Sequence, residues 1–120
     1  MSDYFYSLDA RKHYKDLEET QKNMFQAFRN FNSEIFEKES ALSRKVKELI
    51  AIGVAHTTQC PYCIEGHVRA AKKAGATDQE IAEAIFVAAA LRAGGAFAHS
   101  TIAMGVLKEM DGLEKGNKPR

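Results

Sequence analysis

Residues Gln59–His67 read QCPYCIEGH. The stretch holds both cysteines of the chain, Cys60 and Cys63, and a histidine, His67, four residues beyond the second. Such a pattern serves a metal site, a structural disulfide, a redox-active dithiol, or two thiols packed as small hydrophobes. Pro61 decides how the stretch folds. Proline is favoured in the first helical turn, where its missing N–H costs nothing. The expectation is therefore a helix from Pro61 to about Ala74, stopped by Gly75 as a C′ glycine. Cys60 then stands at or beside the N-cap, facing unpaired backbone N–H groups and the positive end of the helix dipole. A thiolate is stabilised there, so the thiol should be more acidic than a free cysteine. Cys63 follows one turn later, within disulfide reach, and His67 one turn after that. The three side chains form a column.

Working back from the column, Ser43 is a candidate N-cap for a helix over about 44–57, with Val46, Leu49, Ile50, Gly53 and Val54 on its apolar face. HTTQ (56–59) then breaks the pattern. Folding this helix back on the next as a hairpin, with its turn near residue 58, brings Glu48 level with Val68, beside His67. Glu48 is thus expected to orient His67 and to stabilise its charged form. A glutamate, a histidine and a dithiol in line make a proton relay in which the base accepts a thiol proton. Taken singly, Glu48 in KVKELI could be a solvated helix residue, and His67 a surface histidine.

Working forward, TDQE (77–80) is a capping box, with Thr77 as N-cap and Glu80 at N3. It opens an alanine-rich helix, expected at the centre of the fold or at a subunit interface. Gly94-Gly95 is read as an interruption, with a last helix from about Phe97 to Met110 and a frayed tail. Upstream, Tyr14, Leu17, Met24, Phe28, Phe31 and Ile35 lie at helical spacing, so about Asp9 to Phe36 is one bent helix or two. Phe25, Phe28, Phe31 and Phe36 are read as a packing stripe. No segment alternates as a strand would, and the only prolines are Pro61 and Pro119. The fold class is all-α, with about five to six helices in a single domain over residues 1–120, small enough for oligomerisation to help bury apolar surface.

Lysine plus arginine number 17 and aspartate plus glutamate 16. This balance speaks against nucleic acid or an anionic membrane as partner. The N-terminus lacks a basic start followed by an apolar run, so no signal peptide is expected. Residues 81–107 carry Glu83, Arg92 and His99 around the glycine pair, which argues against a membrane span. The expected location is the cytoplasm, where a CxxC is more often catalytic or metal-binding than a permanent staple. Zinc could take Cys60, Cys63 and His67, with His56 or Glu48 as a fourth ligand. There is, however, no second CxxC and no paired HxxxH to complete a usual set.

The register Glu48, eleven residues, Cys60, two residues, Cys63, three residues, His67 resembles the core motif of the AhpD-like alkylhydroperoxidases of the carboxymuconolactone decarboxylase superfamily. The resemblance runs from Leu42 to Ile85, about a third of the chain. It implies a helix hairpin carrying the CxxC motif and a thiol-dependent peroxidase or disulfide reductase without a cofactor. It implies Cys60, Cys63, His67 and Glu48 as catalytic residues, with a sulfenic acid resolved to a disulfide. A dithiol or redox protein, lipoyl- or thioredoxin-like, would reduce that disulfide by exchange. It also implies a homo-oligomer, a trimer or hexamer. The lactone decarboxylases of the superfamily lack the cysteine pair. Tyr62 stands where the best-known AhpD proteins have a histidine, and near pH 7 a phenol is a poor base. His99 is a further residue that could reach the site from another helix. The alternative is a non-enzymatic redox-sensing or assembly module using the same dithiol.

Overall fold

The computed structural model describes residues 7–114. After a 3-10 helix, Leu8–His13, come α1 (Tyr14–Thr20), α2 (Lys22–Phe36), α3 (Arg44–Thr58), α4 (Pro61–Lys73) and α5 (Asp78–Glu114). Among the described residues there is no strand, and the fold is all-α. The N-terminal region is two helices rather than one, parted at Gln21, whose φ of −145° and ψ of 74° leave the helical basin.

Local chemistry sets the hairpin. The Ser43 hydroxyl accepts from the Val46 N–H and starts α3. The helix runs on through HTT to Thr58, and the Thr57 hydroxyl donates to the Val54 carbonyl at 2.7 Å. Gln59 then takes a left-handed conformation (φ 59°, ψ 47°), and the Cys60 N–H reaches back to the Ala55 carbonyl at 3.1 Å. Cys60 therefore ends α3 and begins α4 at once. Its Sγ accepts from the Cys63 N–H at 3.2 Å, and Pro61 follows at the first helical position. α4 closes at Gly75 (φ 95°), with the Ala76 N–H on the Ala71 carbonyl and the Gly75 N–H on the Lys72 carbonyl.

α3 is central, with α4 and α5 packed on it. Ile52, Ala71, Ala76 and Ile81 are buried, with Leu49, Val68, Ala84 and Ile85 around them. The capping box that opens α5 is formed. The Glu80 N–H donates to Thr77 Oγ1 at 3.0 Å, and the Thr77 N–H donates to Glu80 Oε1 at 2.9 Å. The Thr77 N–H and then the Lys45 ammonium hold the Glu80 carboxyl below its ordinary value of 4.5. A depressed carboxylate stabilises the fold above its unfolded value, and that support fades as pH falls through the lower folded value. Thr77→Ala is expected to lower stability at pH 7 by about 1 kcal/mol, read as a lower midpoint in thermal or urea unfolding.

One expectation is corrected. Gly94 and Gly95 do not interrupt α5, so the separate helix from Phe97 is its distal half. Each glycine costs only about 1 kcal/mol against alanine, and the flanking AAALRA and AFA segments outweigh that cost. Of the two places expected for the alanine-rich helix, the centre of the fold or a subunit interface, the fold itself covers only part of it. Ile81 and Ala88 are buried, but Phe86, Leu91, Phe97, Ile102 and Met110 are all more than half exposed. The phenylalanine stripe of α2 likewise leaves Phe28 and Phe31 open, while Phe36 turns inward. The molecule measures 62 × 39 × 38 Å.

Candidate active site

Glu48 is the buried charged residue of α3, at 6% exposure. Its Oε1 lies 2.9 Å from His67 Nδ1, and its Oε2 lies 3.3 Å away. A carboxylate only accepts hydrogen bonds, so Nδ1 carries the proton and Nε2 is the basic nitrogen of the neutral ring. Cys60 and Cys63 are joined as a disulfide, with their Cα atoms 5.3 Å apart. The hairpin therefore gathers Glu48, His67, Cys60 and Cys63, and the register counted across the turn puts the carboxylate on the imidazole.

Two cavities flank this line. One, of about 580 Å³, is mostly apolar and is lined by Ile35, Leu42, Ile50 and Val54 among others. The second, of about 410 Å³, is more polar and includes Arg11, Arg44, Glu48 and Tyr62. Phe36, Cys63 and His67 border both. The Phe36 ring lies 4.9 Å from the His67 ring, tilted by 39°. Phe36 is held there from α3, because the Lys47 ammonium donates to the carbonyls of Ile35 and Lys38 at 2.7 Å each and caps the end of α2.

The outer face of α4 is tied down by ions. Glu65 bonds Arg11 of the 3-10 helix at 2.5 Å and Arg69, one turn along α4, at 2.6 Å. The Arg69 bond first, and then that of Arg11, holds the Glu65 carboxyl below its ordinary value. Tyr62, between the cysteines, borders the polar cavity. His99 is not part of the site. It sits exposed on distal α5 with Nδ1 on the Gly95 carbonyl. His56, weighed as a zinc ligand, has Nδ1 on the Ile52 carbonyl at 2.8 Å. Among the described residues, no three His, Cys, Asp or Glu side chains are grouped as a metal would require.

Phe36 and Lys47 were not legible as site residues. Phe36 belonged to a stripe of four phenylalanines, and only the tertiary position of α2 separates it from the others. A lysine capping another helix leaves no mark in local sequence.

A family model described as the carboxymuconolactone decarboxylase family matches residues 22–105. "Uncharacterized protein 4 in cox locus" of Paracoccus denitrificans is 54% identical over 80 residues, covering 67% of this chain and 72% of that protein. The uncharacterized protein YdfG of Bacillus subtilis is 40% identical over 48 residues, covering 40% of this chain and 33% of that protein. Among solved structures, a Methanobacterium thermoautotrophicum protein matches with a TM-score of 0.66 at 32% identity, covering 72% of this chain and 97% of that one. A Thermotoga maritima protein matches with a TM-score of 0.57 at 26% identity, covering 88% and 98%.

Proposed function

Since the chain belongs to the carboxymuconolactone decarboxylase family, we propose that it is an AhpD-like member reducing hydroperoxides with the Cys60–Cys63 dithiol. The observation that carries this reading is the Glu48 carboxylate on His67 Nδ1, with His67 one turn from Cys63 at the border of both cavities. Decarboxylation of a lactone has no use for a dithiol, whereas peroxide reduction consumes two electrons and a dithiol supplies two.

In the reduced protein, His67 takes the Cys63 proton, directly or through one water, and Glu48 holds the resulting imidazolium. The Cys63 thiolate attacks the terminal oxygen of the hydroperoxide. The O–O bond breaks, Cys63 becomes a sulfenic acid, and the alkoxide leaves and takes its proton from His67 as the alcohol. Cys60 attacks the sulfenic sulfur, closing the disulfide and releasing water. A dithiol of lipoyl or thioredoxin type then reduces the disulfide by exchange and is itself oxidised. Cys63 is assigned the attack because it borders the cavities and stands at i,i+4 to His67. Cys60 is the resolving thiol.

The proposal includes self-association and, given a dithiol that must be kept reduced, a cytoplasmic location. Phe86, Leu91, Phe97 and Ile102 of α5 are all more than half exposed, an apolar face of the kind a second copy of the chain would cover. α5 is also long and apolar enough to cross a membrane, by length and composition. The expected mass by light scattering in detergent-free buffer is a multiple of 13.3 kDa, a trimer or hexamer. A monomer that partitions into lipid vesicles would contradict the assembly.

The function is tested by consumption of an organic hydroperoxide with dihydrolipoamide, thioredoxin or dithiothreitol as reductant. Turnover that depends on the reductant is expected. No consumption with any of the three, and thiols that stay reduced under peroxide, would exclude it.

A further inference from the structure

Phe36 lies against the one ring of the site that must change charge. Its ring centroid is 4.9 Å from that of His67, with the planes tilted by 39°. Rings that close, and that far from perpendicular, overlap in part by their faces rather than meeting edge-on or side by side. The face of a benzene ring is electron-rich, so it attracts an imidazolium more than a neutral imidazole. α2 has no buried residue to seat Phe36. The seat comes from Lys47, whose ammonium donates to the carbonyls of Ile35 and Lys38, on either side of Phe36. We propose that Phe36 is a positioning residue of the relay: its ring stabilises the charged form of His67, so that Cys63 gives up its proton more readily, and the Lys47 clasp holds the ring there. The inference rests on the proton transfer from Cys63 to His67 proposed above and gives it a second support, from a different helix.

The two supports engage different parts of the imidazole. Glu48 accepts from Nδ1, in the plane of the ring, whereas Phe36 meets a face. The His67 side chain is 26% exposed, so water screens the face contact only in part. The other charged groups beside His67 are engaged elsewhere or oppose one another. On the polar side Arg11 is held by Glu65, while Arg44 and Glu37 carry opposite charges. On the apolar side Glu34 is held by Lys38, and Lys47 by its two carbonyls. Tyr14 and Tyr62 bring phenols, not charges, to the polar cavity.

The test is alkylation of Cys63 by iodoacetamide as a function of pH. It is run in the Cys60→Ser background, which leaves one thiol and keeps a side-chain cap on α4. That parent is compared with Phe36→Leu, Phe36→Tyr, Lys47→Met and the Phe36→Leu, Lys47→Met pair. Phe36→Leu should slow alkylation at pH 7 by about threefold to tenfold and move the profile to higher pH. Near pH 10, where the thiol is ionised in both proteins, the rates should meet again within about twofold. Phe36→Tyr keeps the ring face and should restore the parent profile. Lys47→Met should act in the same direction as Phe36→Leu, and combining the two should slow the reaction little further, since the clasp acts through the ring. Losses that add in full overturn the clasp, because they assign Lys47 a direct field on the site. A profile that stays in place in Phe36→Leu, or a change in rate that persists undiminished near pH 10, overturns the proposal and makes Phe36 a cover over the thiol. Peroxide is absent throughout. A shifted profile in a protein that reduces no hydroperoxide therefore upholds Phe36 while the peroxidase reading fails, and an unshifted profile in an active peroxidase does the reverse.

Discussion

Cys63→Ser is expected to reduce peroxide turnover to the uncatalysed background while the helices remain. The proposed attack needs a thiolate bordering the cavities, and a serine hydroxyl is neither acidic enough nor nucleophilic enough to break the O–O bond. The fold should hold, because Cys63 lies outside the buried cluster of Ile52, Ala71, Ala76 and Ile81. The paired variant Cys60→Ser separates the two roles. It should still consume one equivalent of peroxide, because Cys63 reaches the sulfenic acid. It should then stall, because nothing within the chain resolves it. Mass spectrometry of each variant after one equivalent of hydroperoxide reads this directly: no added oxygen on Cys63→Ser, one on Cys60→Ser. The reverse pattern would exchange the roles of the two cysteines.

Glu48→Gln should cost turnover by about 10²–10⁴, the range in which a positioned acid–base group contributes. The amide is nearly isosteric and still offers His67 Nδ1 an oxygen, so the histidine can stay in place. What is lost is the negative charge that holds the imidazolium when the thiol proton arrives. Alkylation of the reduced cysteines near neutral pH should slow in parallel, and that measurement needs no assumption about substrate. Burial sharpens the expectation. Glu48 at 6% exposure faces little water that could take over its role. Alkylation rates unchanged for both thiols would reduce Glu48 to a packing residue.

How much of this was legible follows from whether the decisive physics was local. The N-cap serine, the Thr77–Glu80 box, the cysteine N-cap beside Pro61 and the Gly75 stop are each fixed within four or five residues, and each formed where the sequence put it. The Glu48–His67 contact is not local. It was still legible, because a tight hairpin turn fixes the pairing register of its two helices. Gly94-Gly95 misled because glycine is a strong punctuator in loops, yet inside a run of helix formers its cost is small. Phe36, Lys47 and the two cavities depend on where α2 docks on α3, and nothing in the helical periodicity of α2 distinguishes Phe36 from Phe28 or Phe31. For the alanine-rich run of α5 the centre of the fold and a subunit interface both stood open, because apolar helices look the same in sequence whether a protein covers them from within or from a second copy.

The most direct measurement is a single turnover. The fully reduced protein is mixed with one equivalent of cumene hydroperoxide and no external reductant, and alcohol, remaining peroxide and intact mass are followed together. The proposed chemistry gives one cumyl alcohol per chain and a mass loss of about 2 Da from closure of the Cys60–Cys63 disulfide, at a rate slowed by Glu48→Gln. Peroxide left unconsumed, with both thiols still free to alkylate, would contradict it.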